Sequence, residues 1–158
     1  MTNKVKTCLW FDNGALPAAE FYCSLIPDSR IDHVMHHIEN ATHGEPGSVL
    51  AVEFTLAGVP YQAINGGSYF QLDEAVSISV STEDQSETDR LWQALTADGG
   101  SESQCGWCKD RFGLSWQIVP RRAVELFSGS QASKVWPVLM TMQKIDIAAL
   151  EKAAAEGE

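Results

Sequence analysis

The sequence predicts an α+β fold of two βαβββ modules, at about 4–67 and about 74–120, followed by a C-terminal helical tail at 131–158. The spacing of apolar residues alternates along the chain between the two-residue period of strands and the longer period of helices. The same order of strand-like and helix-like segments occurs twice. Two amphipathic segments then follow the second module, so we expect one domain over 1–130 and a tail attached to it.

The first module is predicted as a strand, a helix and three strands. Ala57-Gly58 separates the last two strands and predicts a tight hairpin, because glycine adopts the positive φ that such turns require. Pro27-Asp28-Ser29 ends the helix. The segments are, in order, 4–11, the helix 17–26, then 31–38, 49–56 and 59–64.

The second module repeats that order. Ala75–Ser81 alternates apolar and small polar residues, as a half-buried strand does, and Thr82 or Asp84 is the N-cap of the next helix. Asp98-Gly99-Gly100 ends the helix. The remaining segments are the helix 86–97, strands near 101–108 and 114–119, and the turn 109–113 between them.

A constant offset of 70 residues, without gaps, aligns the two modules from the first strand to the helix end. Cys8 then falls on Ile78, Tyr22 on Trp92 and Asp28 on Asp98. Residue identity between the halves is low, so chance similarity between two strand–helix units is the competing interpretation. The first strands begin at matching positions, the helices have matching apolar faces, and the helices end at matching residues, which favours an internal duplication.

Composition excludes several classes of partner. Eleven basic and twenty-one acidic residues give a net charge of −10, which disfavours nucleic acid and anionic membrane. The sequence has neither a secretion signal nor an apolar run near the ~20 residues of a membrane-spanning helix, so we expect a cytoplasmic protein. We expect Cys8, Cys23, Cys105 and Cys108 to be free thiols there.

Alternation along the strands also predicts a polar face opposite the helices. Val52, Phe54 and Leu56 share one side of their strand, which leaves neutral polar residues and one carboxylate on the other. This second face either meets solvent or forms a cup lined with hydrogen-bonding groups. Its candidate ligand-binding residues are Thr7, Glu53, Thr55, Ser77, Ser79, Ser115 and Gln117, and Trp107 beside the hairpin could stack on an aromatic ligand.

Two further groups of residues suggest chemistry at first. Cys105-Gly106-Trp107-Cys108 has redox-motif spacing, but its strand and hairpin context lacks the helix N-terminus that usually activates such a thiol. His33, His36, His37 and His43 surround one strand and the loop after it. Only His33 and His37 share a face, which favours a solvated edge strand over a metal site.

The tail carries an apolar stripe of Val135, Leu139, Met142, Ile147 and Leu150, with Asp146 placed to cap the last helix. Such a stripe must be covered. It packs either on its own module or on a partner subunit.

Five strings carry a family resemblance over nearly the whole chain. They are CLWFDNGALPAAEFYCSLIPDSRI (8–31), VEFTLAGVPYQAINGG (52–67), AVSISVSTEDQSETDRLWQAL (75–95), SQCGWCKDRFGLSWQIVP (103–120) and MQKIDIAALEKA (142–153). The chain resembles the PhnB-like, 3-demethylubiquinone-9 3-methyltransferase-like branch of the vicinal-oxygen-chelate (glyoxalase, bleomycin-resistance and dioxygenase) superfamily. The resemblance implies a glyoxalase-like fold in which paired modules enclose a cavity, and a homodimer.

The resemblance also implies where a metal would bind. Metal-dependent relatives place four ligands on strand faces, at positions that correspond here to Thr7, Glu53, Ala75 and Gln117. Only Glu53 is a strong ligand, so we expect no metal. We also expect no S-adenosylmethionine and no other cofactor, because neither pair of adjacent glycines opens a helix after a buried strand.

Three functional hypotheses remain. The first is a protein that binds a small molecule in the paired-module cavity without a metal, with or without catalysis. The second is a metal-dependent lyase or dioxygenase, and the third is a non-catalytic structural or regulatory dimer.

Overall fold

The computed structural model describes residues 4–39 and 44–156. His43 lies outside the described residues. The chain divides into two compact units, Met1–Leu72 and Asp73–Glu158, and each contains a four-stranded mixed sheet. Within the described ranges, no helix is long and apolar enough to cross a membrane.

The first unit has the predicted order of elements and the strand order β1-β4-β3-β2. Strand β1 runs parallel to β4, and the other neighbours are antiparallel. The elements are β1 (Thr7–Phe11), α1 (Ala15–Leu25), β2 (Arg30–His36), β3 (Val49–Leu56) and β4 (Val59–Asn65).

Helix α1 covers one side of this sheet. Its buried Tyr22 contacts Phe54 of β3, with ring centroids 6.4 Å apart. The helix begins at Ala15, whose backbone N–H donates to Asn65 Oδ1 at 2.9 Å, two residues before the predicted start. Pro17 therefore lies in the first turn, where its missing N–H costs little. The Ala57-Gly58 hairpin is confirmed, with φ values of 45° and 81°.

The second unit repeats the order, has the strand order β5-β8-β7-β6, and adds three helices. Asp84 is the N-cap of its first helix and accepts from the Glu87 backbone N–H at 2.9 Å. The paired βαβββ modules with C-terminal helices are thus confirmed. The elements are β5 (Ser77–Thr82), α2 (Gln85–Thr96), β6 (Ser101–Glu102), β7 (Trp107–Lys109), β8 (Ser115–Pro120), α3 (Arg121–Ser128), α4 (Ala132–Leu139) and α5 (Ile147–Ala155).

The strand predicted at 101–108 is two short strands joined by a turn. Cys105 and Gly106 both have positive φ, 56° and 85°, and the Ser103 N–H donates to the Trp107 carbonyl at 2.9 Å. Alternation alone did not reveal this reversal. The Cys105 to Cys108 motif therefore begins in a turn and ends in β7.

The 70-residue offset between the modules holds for the helices but not for the first strands. Helices α1 and α2 begin 70 residues apart, and Asp28 and Asp98 after them both have positive φ, 54° and 53°. In β1, however, Leu9 and Phe11 share the face covered by α1, whereas in β5 the helix-facing residues are even-numbered. The gapless alignment is therefore wrong there by one residue, because a shift of one reverses the faces of a strand.

The C-terminal helices pack on their own unit. Val135, Leu139 and Leu150 of the predicted apolar stripe are at most 3% exposed and share a core with Ala123, Leu126 and Ile145. Val119 at the end of β8 packs against this cluster. Three of the five residues of the stripe are therefore buried within the second unit, and Met142 packs against the same cluster.

Asp110 fixes the hairpin between β7 and β8. Asp110 is 2% exposed. Its carboxylate accepts hydrogen bonds from the backbone N–H groups of Phe112 and Leu114, at 2.8 and 3.1 Å, and from Trp116 Nε1 at 2.8 Å. One buried carboxylate thus binds two backbone donors after the turn begins and the side chain of Trp116 in β8.

We expect Asp110→Ala to lower the free energy of unfolding by about 2–4 kcal/mol, because it removes three hydrogen bonds to a buried carboxylate. Chemical denaturation followed by circular dichroism measures the change. Glu156→Ala, which removes an exposed ion pair with Lys152 at 3.8 Å, is the control and should change it by about 0.5 kcal/mol or less. Equal effects of the two substitutions would contradict this role for Asp110.

Candidate functional site

The pairing register shows which side chains share the sheet face of the first unit that α1 leaves uncovered. Directly paired residues point to the same side of a sheet. Glu53 pairs with His33 on one neighbour and with Gln62 on the other, and Gln62 pairs with Cys8. These four residues form a row across the sheet.

Thr7 does not belong to this row. It pairs with Tyr61, which pairs with Phe54 on the helix-covered face. The prediction that Thr7 shares the face of Glu53 is therefore wrong by one residue, and Cys8 lies in the row with Glu53 instead. Lys6, two residues before Cys8, forms an ion pair with Glu53.

Thr55 lies next along β3 from Glu53 on the same face. It is 6% exposed, and its hydroxyl donates to Asp32 Oδ2 at 2.6 Å. Arg30 Nε contacts the other oxygen of Asp32 at 2.7 Å. Both Glu53 and Thr55 thus already have partners within the first unit.

In the second unit, all five predicted candidates share one face. Ser115 pairs with Ser77 on one side and with Lys109 on the other, and Gln117 pairs with Ser79 and Trp107 in the same way. We call this set the polar face of the second unit: Ser77, Ser79, Trp107, Lys109, Ser115 and Gln117. The opposite face carries apolar residues such as Trp116 and Ile118, both fully buried.

Hydrogen bonding on the polar face is incomplete. Gln117 Nε2 donates to Ser77 Oγ at 2.8 Å. Ser115 is 1% exposed, and its Oγ has no hydrogen-bond partner in the described part of the chain. Buried hydroxyls are normally paired, so this atom needs an explanation.

Lys109 is the basic residue of the polar face. Its ammonium lies 2.5 Å from a carboxylate oxygen of Glu74, in the turn before β5. The hydrogen bond from Lys109 lowers the pKa of Glu74, which keeps this carboxylate ionised. Sequence reasoning missed Lys109 because it was assigned to the hairpin turn, and only the register of β7 places it beside Ser115.

The first unit also contains a cleft of ≈ 720 Å³ at the end of its sheet. None of the predicted site residues lines it. Its walls come from three connections and include Trp10, Asp12, His37, Glu45, Asn65 and Tyr69. Loop residues carry no periodic signal, which is why the sequence did not indicate this cleft.

Two of the four residues that the resemblance implies for a metal lie elsewhere in their own units than the sequence predicts. Ala75 precedes β5 in a turn, Thr7 faces the helix side, and Gln117 hydrogen-bonds Ser77. Across 4–39 and 44–156, no three His, Cys, Asp or Glu side chains are grouped so that they could hold a metal ion. His33 lies on the exposed edge strand β2.

The four cysteines are unpaired. Cys108 points to the helix side of β7 and is 2% exposed, and burial, with the nearby Asp110 and Glu102 charges, raises its pKa to about 12. Cys105 contacts the Leu139 carbonyl at 3.6 Å. A thiol with so high a pKa is a poor nucleophile at neutral pH, which argues against redox activity.

Comparison with known families assigns the chain. Residues 3–119 match the family model described as 3-demethylubiquinone-9 3-methyltransferase. This is about three quarters of the 158-residue sequence. The chain belongs to this PhnB-like family of the vicinal-oxygen-chelate superfamily. No curated protein matches it.

Solved structures share the fold, and one of them is a PhnB protein. The PhnB protein of Bacillus cereus, described as a putative 3-demethylubiquinone-9 3-methyltransferase, is 29% identical, with a TM-score of 0.68 over 75% of this chain and 99% of that one. Protein PA1353 of Pseudomonas aeruginosa is 17% identical, with a TM-score of 0.60 over 75% and 98% of the two chains. Fosfomycin resistance protein FosX of Listeria monocytogenes, in complex with Mn(II) and sulfate, is 12% identical, with a TM-score of 0.50 over 76% and 90%.

The two pairs of adjacent glycines lie in connections between elements. Gly66-Gly67 follow β4 and precede β5, and Gly99-Gly100 lie between α2 and β6. Neither pair opens a helix after a buried strand, the arrangement that binds the phosphate groups of nucleotides.

We expect the thiols to differ sharply in reactivity. In native protein at pH 8, iodoacetamide should modify the exposed Cys8 and leave Cys108 intact, because burial keeps the Cys108 thiol protonated up to about pH 12. Peptide mass spectrometry after a short labelling time measures both sites, and urea-unfolded protein provides the control. Equal labelling of the two native thiols would contradict this assignment.

Proposed function

We propose that this PhnB-like protein binds a small molecule on the polar face of its second unit and needs no metal to do so. The Ser115 hydroxyl carries this proposal. It is buried, has no hydrogen-bond partner among residues 4–39 and 44–156, and lies in a row of hydrogen-bonding side chains. A bound molecule that accepts its hydrogen would remove the cost of the unpaired group.

The burial of Ser115 also argues against a face that merely meets solvent. An exposed hydroxyl would be satisfied by bulk water, whereas Ser115 is 1% exposed. Trp107 next to it is half-buried and offers an apolar surface beside the polar groups. A few polar groups beside an aromatic ring are typical of small-molecule sites.

A thermal-shift screen of small organic acids, amides and alcohols tests the proposal. We propose Gln117→Leu as the variant, since it removes the amide and the hydrogen bond to Ser77 with little change in size. A compound that raises the melting temperature of the native protein should lose this effect in Gln117→Leu. If no compound stabilises the protein, or if the variant responds equally, the proposed face is wrong.

We expect metal removal to leave binding unchanged. The side chains of the polar face are serines, one glutamine, one lysine and one tryptophan, which are weak ligands or none for Zn²⁺ and Ni²⁺. Calorimetry with either ion should show no sub-micromolar site. Such a site, lost in Glu53→Ala, would instead support a metal-dependent lyase or dioxygenase.

We also propose that the protein is a homodimer that uses the tail surface. Three apolar side chains, one in α3, one in α4 and one at the C-cap of α4, are 46–61% exposed: Val124, Trp136 and Met140. Trp136 stacks on Phe127 with centroids 5.3 Å apart, which fixes its ring at the surface. An exposed apolar group of this kind is typical of an interaction surface.

Light scattering should give the mass of a dimer for the full chain and of a monomer for Trp136→Glu with Met140→Glu. Surface substitutions are preferable to deletion of 131–158, because that segment supplies buried Val135, Leu139 and Leu150 to the core of the second unit. Circular dichroism should show that the double variant stays folded. A monomeric full-length protein would refute the dimer.

A further inference from the structure

The polar face of the second unit also indicates which chemical class it binds. We propose that it binds the carboxylate of a small planar organic acid, and that Glu74 pairs with the lysine of this site in the free protein. This inference rests on the proposed function, because it names the ligand of the same face. It is carried by four side chains: Ser77, Ser115, Lys109 and Glu74.

Three hydrogen-bond donors lie next to one another across the strands. Ser115 is directly paired with Ser77 on β5 and with Lys109 on β7, and adjacent strands are about 4.8 Å apart. Ser77 accepts from Gln117, so its own hydrogen remains available for an acceptor. The Ser115 hydroxyl has no partner in the described chain, and the Lys109 ammonium supplies the positive charge.

A row of hydroxyl and ammonium donors suits an anion. A carboxylate accepts through both oxygens and carries one charge, which matches the single lysine of the row. A phosphate carries more charge than one lysine offsets, and the net charge of −10 opposes it further. The donors thus favour a monoanionic carboxylate.

Glu74 already places a carboxylate on the lysine of this row. It lies 2.5 Å from Lys109 and comes from the turn that precedes β5. Its side chain is 68% exposed, so a ligand can displace it into water with little loss, since exposed ion pairs contribute little stability. Glu74 therefore competes with the ligand.

Trp107 suggests the rest of the molecule. It shares the next row with Gln117 and Ser79 on the same face and is half-buried. An indole ring at that place provides a flat apolar surface next to the carboxylate position. The ligand class is therefore a carboxylic acid with a planar, apolar body.

Titration calorimetry with matched probes tests this inference. The probes are benzoate and indole-3-acetate, their neutral amides, and inorganic phosphate. We expect both carboxylates to bind, the amides to bind at least about tenfold more weakly, and phosphate not to bind.

Variants then separate the roles of the side chains. Glu74→Gln should tighten carboxylate binding several-fold, because it removes the competing charge. Lys109→Gln should weaken it about tenfold. Ser115→Ala should also weaken it without lowering the melting temperature, since it deletes an unpaired buried hydroxyl. Lys144→Gln, which removes a lysine paired with Asp89 instead of Glu74, is the matched charge control and should bind as the native protein does.

Other outcomes overturn the carboxylate assignment, the competing role of Glu74 or the proposed function itself. If amides and carboxylates bind equally, and Gln117→Leu weakens both, the face binds small molecules but not through an anion, and only this further inference fails. If Glu74→Gln leaves the affinity unchanged, Glu74 does not compete. If neither these probes nor any compound of the thermal-shift screen binds, the proposed function fails as well.

Discussion

Each sheet of this protein is covered by a helix on one side, and the apolar residues buried there fix the direction of every other side chain. Val52 and Phe54 in the first unit, and Trp116 and Ile118 in the second, are at most 1% exposed. Because side chains alternate along a strand, burial of these residues leaves Glu53, Ser115 and Gln117 on the opposite face. The candidate site depends on this alternation, and a shift of one residue would remove it.

The hairpin between β7 and β8 sets the register on which the polar face depends. Asp110 binds three donors of the turn, and that geometry aligns Lys109 with Ser115 and Trp107 with Gln117. The buried Asp110 carboxylate thus places Lys109 beside Ser115 and Trp107 beside Gln117, neighbours that the sequence alone does not reveal. Stability and the arrangement of the site come from the same contacts.

The first unit shows why membership of a superfamily does not define an activity. Its corresponding face carries Cys8, Gln62 and Glu53, and Glu53 is held by Lys6. FosX shares the fold and is described with Mn(II). A shared fold gives two proteins corresponding positions, but the residues at those positions can differ. The two faces of this PhnB-like protein have different chemistry, and that of the second unit favours an anionic ligand.

The sequence by itself determined the order of strands and helices in the first unit, the Ala57-Gly58 hairpin and a helix cap at Thr82 or Asp84. It also determined that Ser77, Ser79, Ser115 and Gln117 lie opposite the apolar residues of their strands. These features follow from periodicity and from the local φ preferences of a few residues. The tertiary structure alone decided that Thr7 faces the helix side, that Lys109 lies beside Ser115 and that the tail packs on its own unit. Strand register and helix docking depend on pairing between distant segments, and local periodicity carries no information about which residues meet across strands.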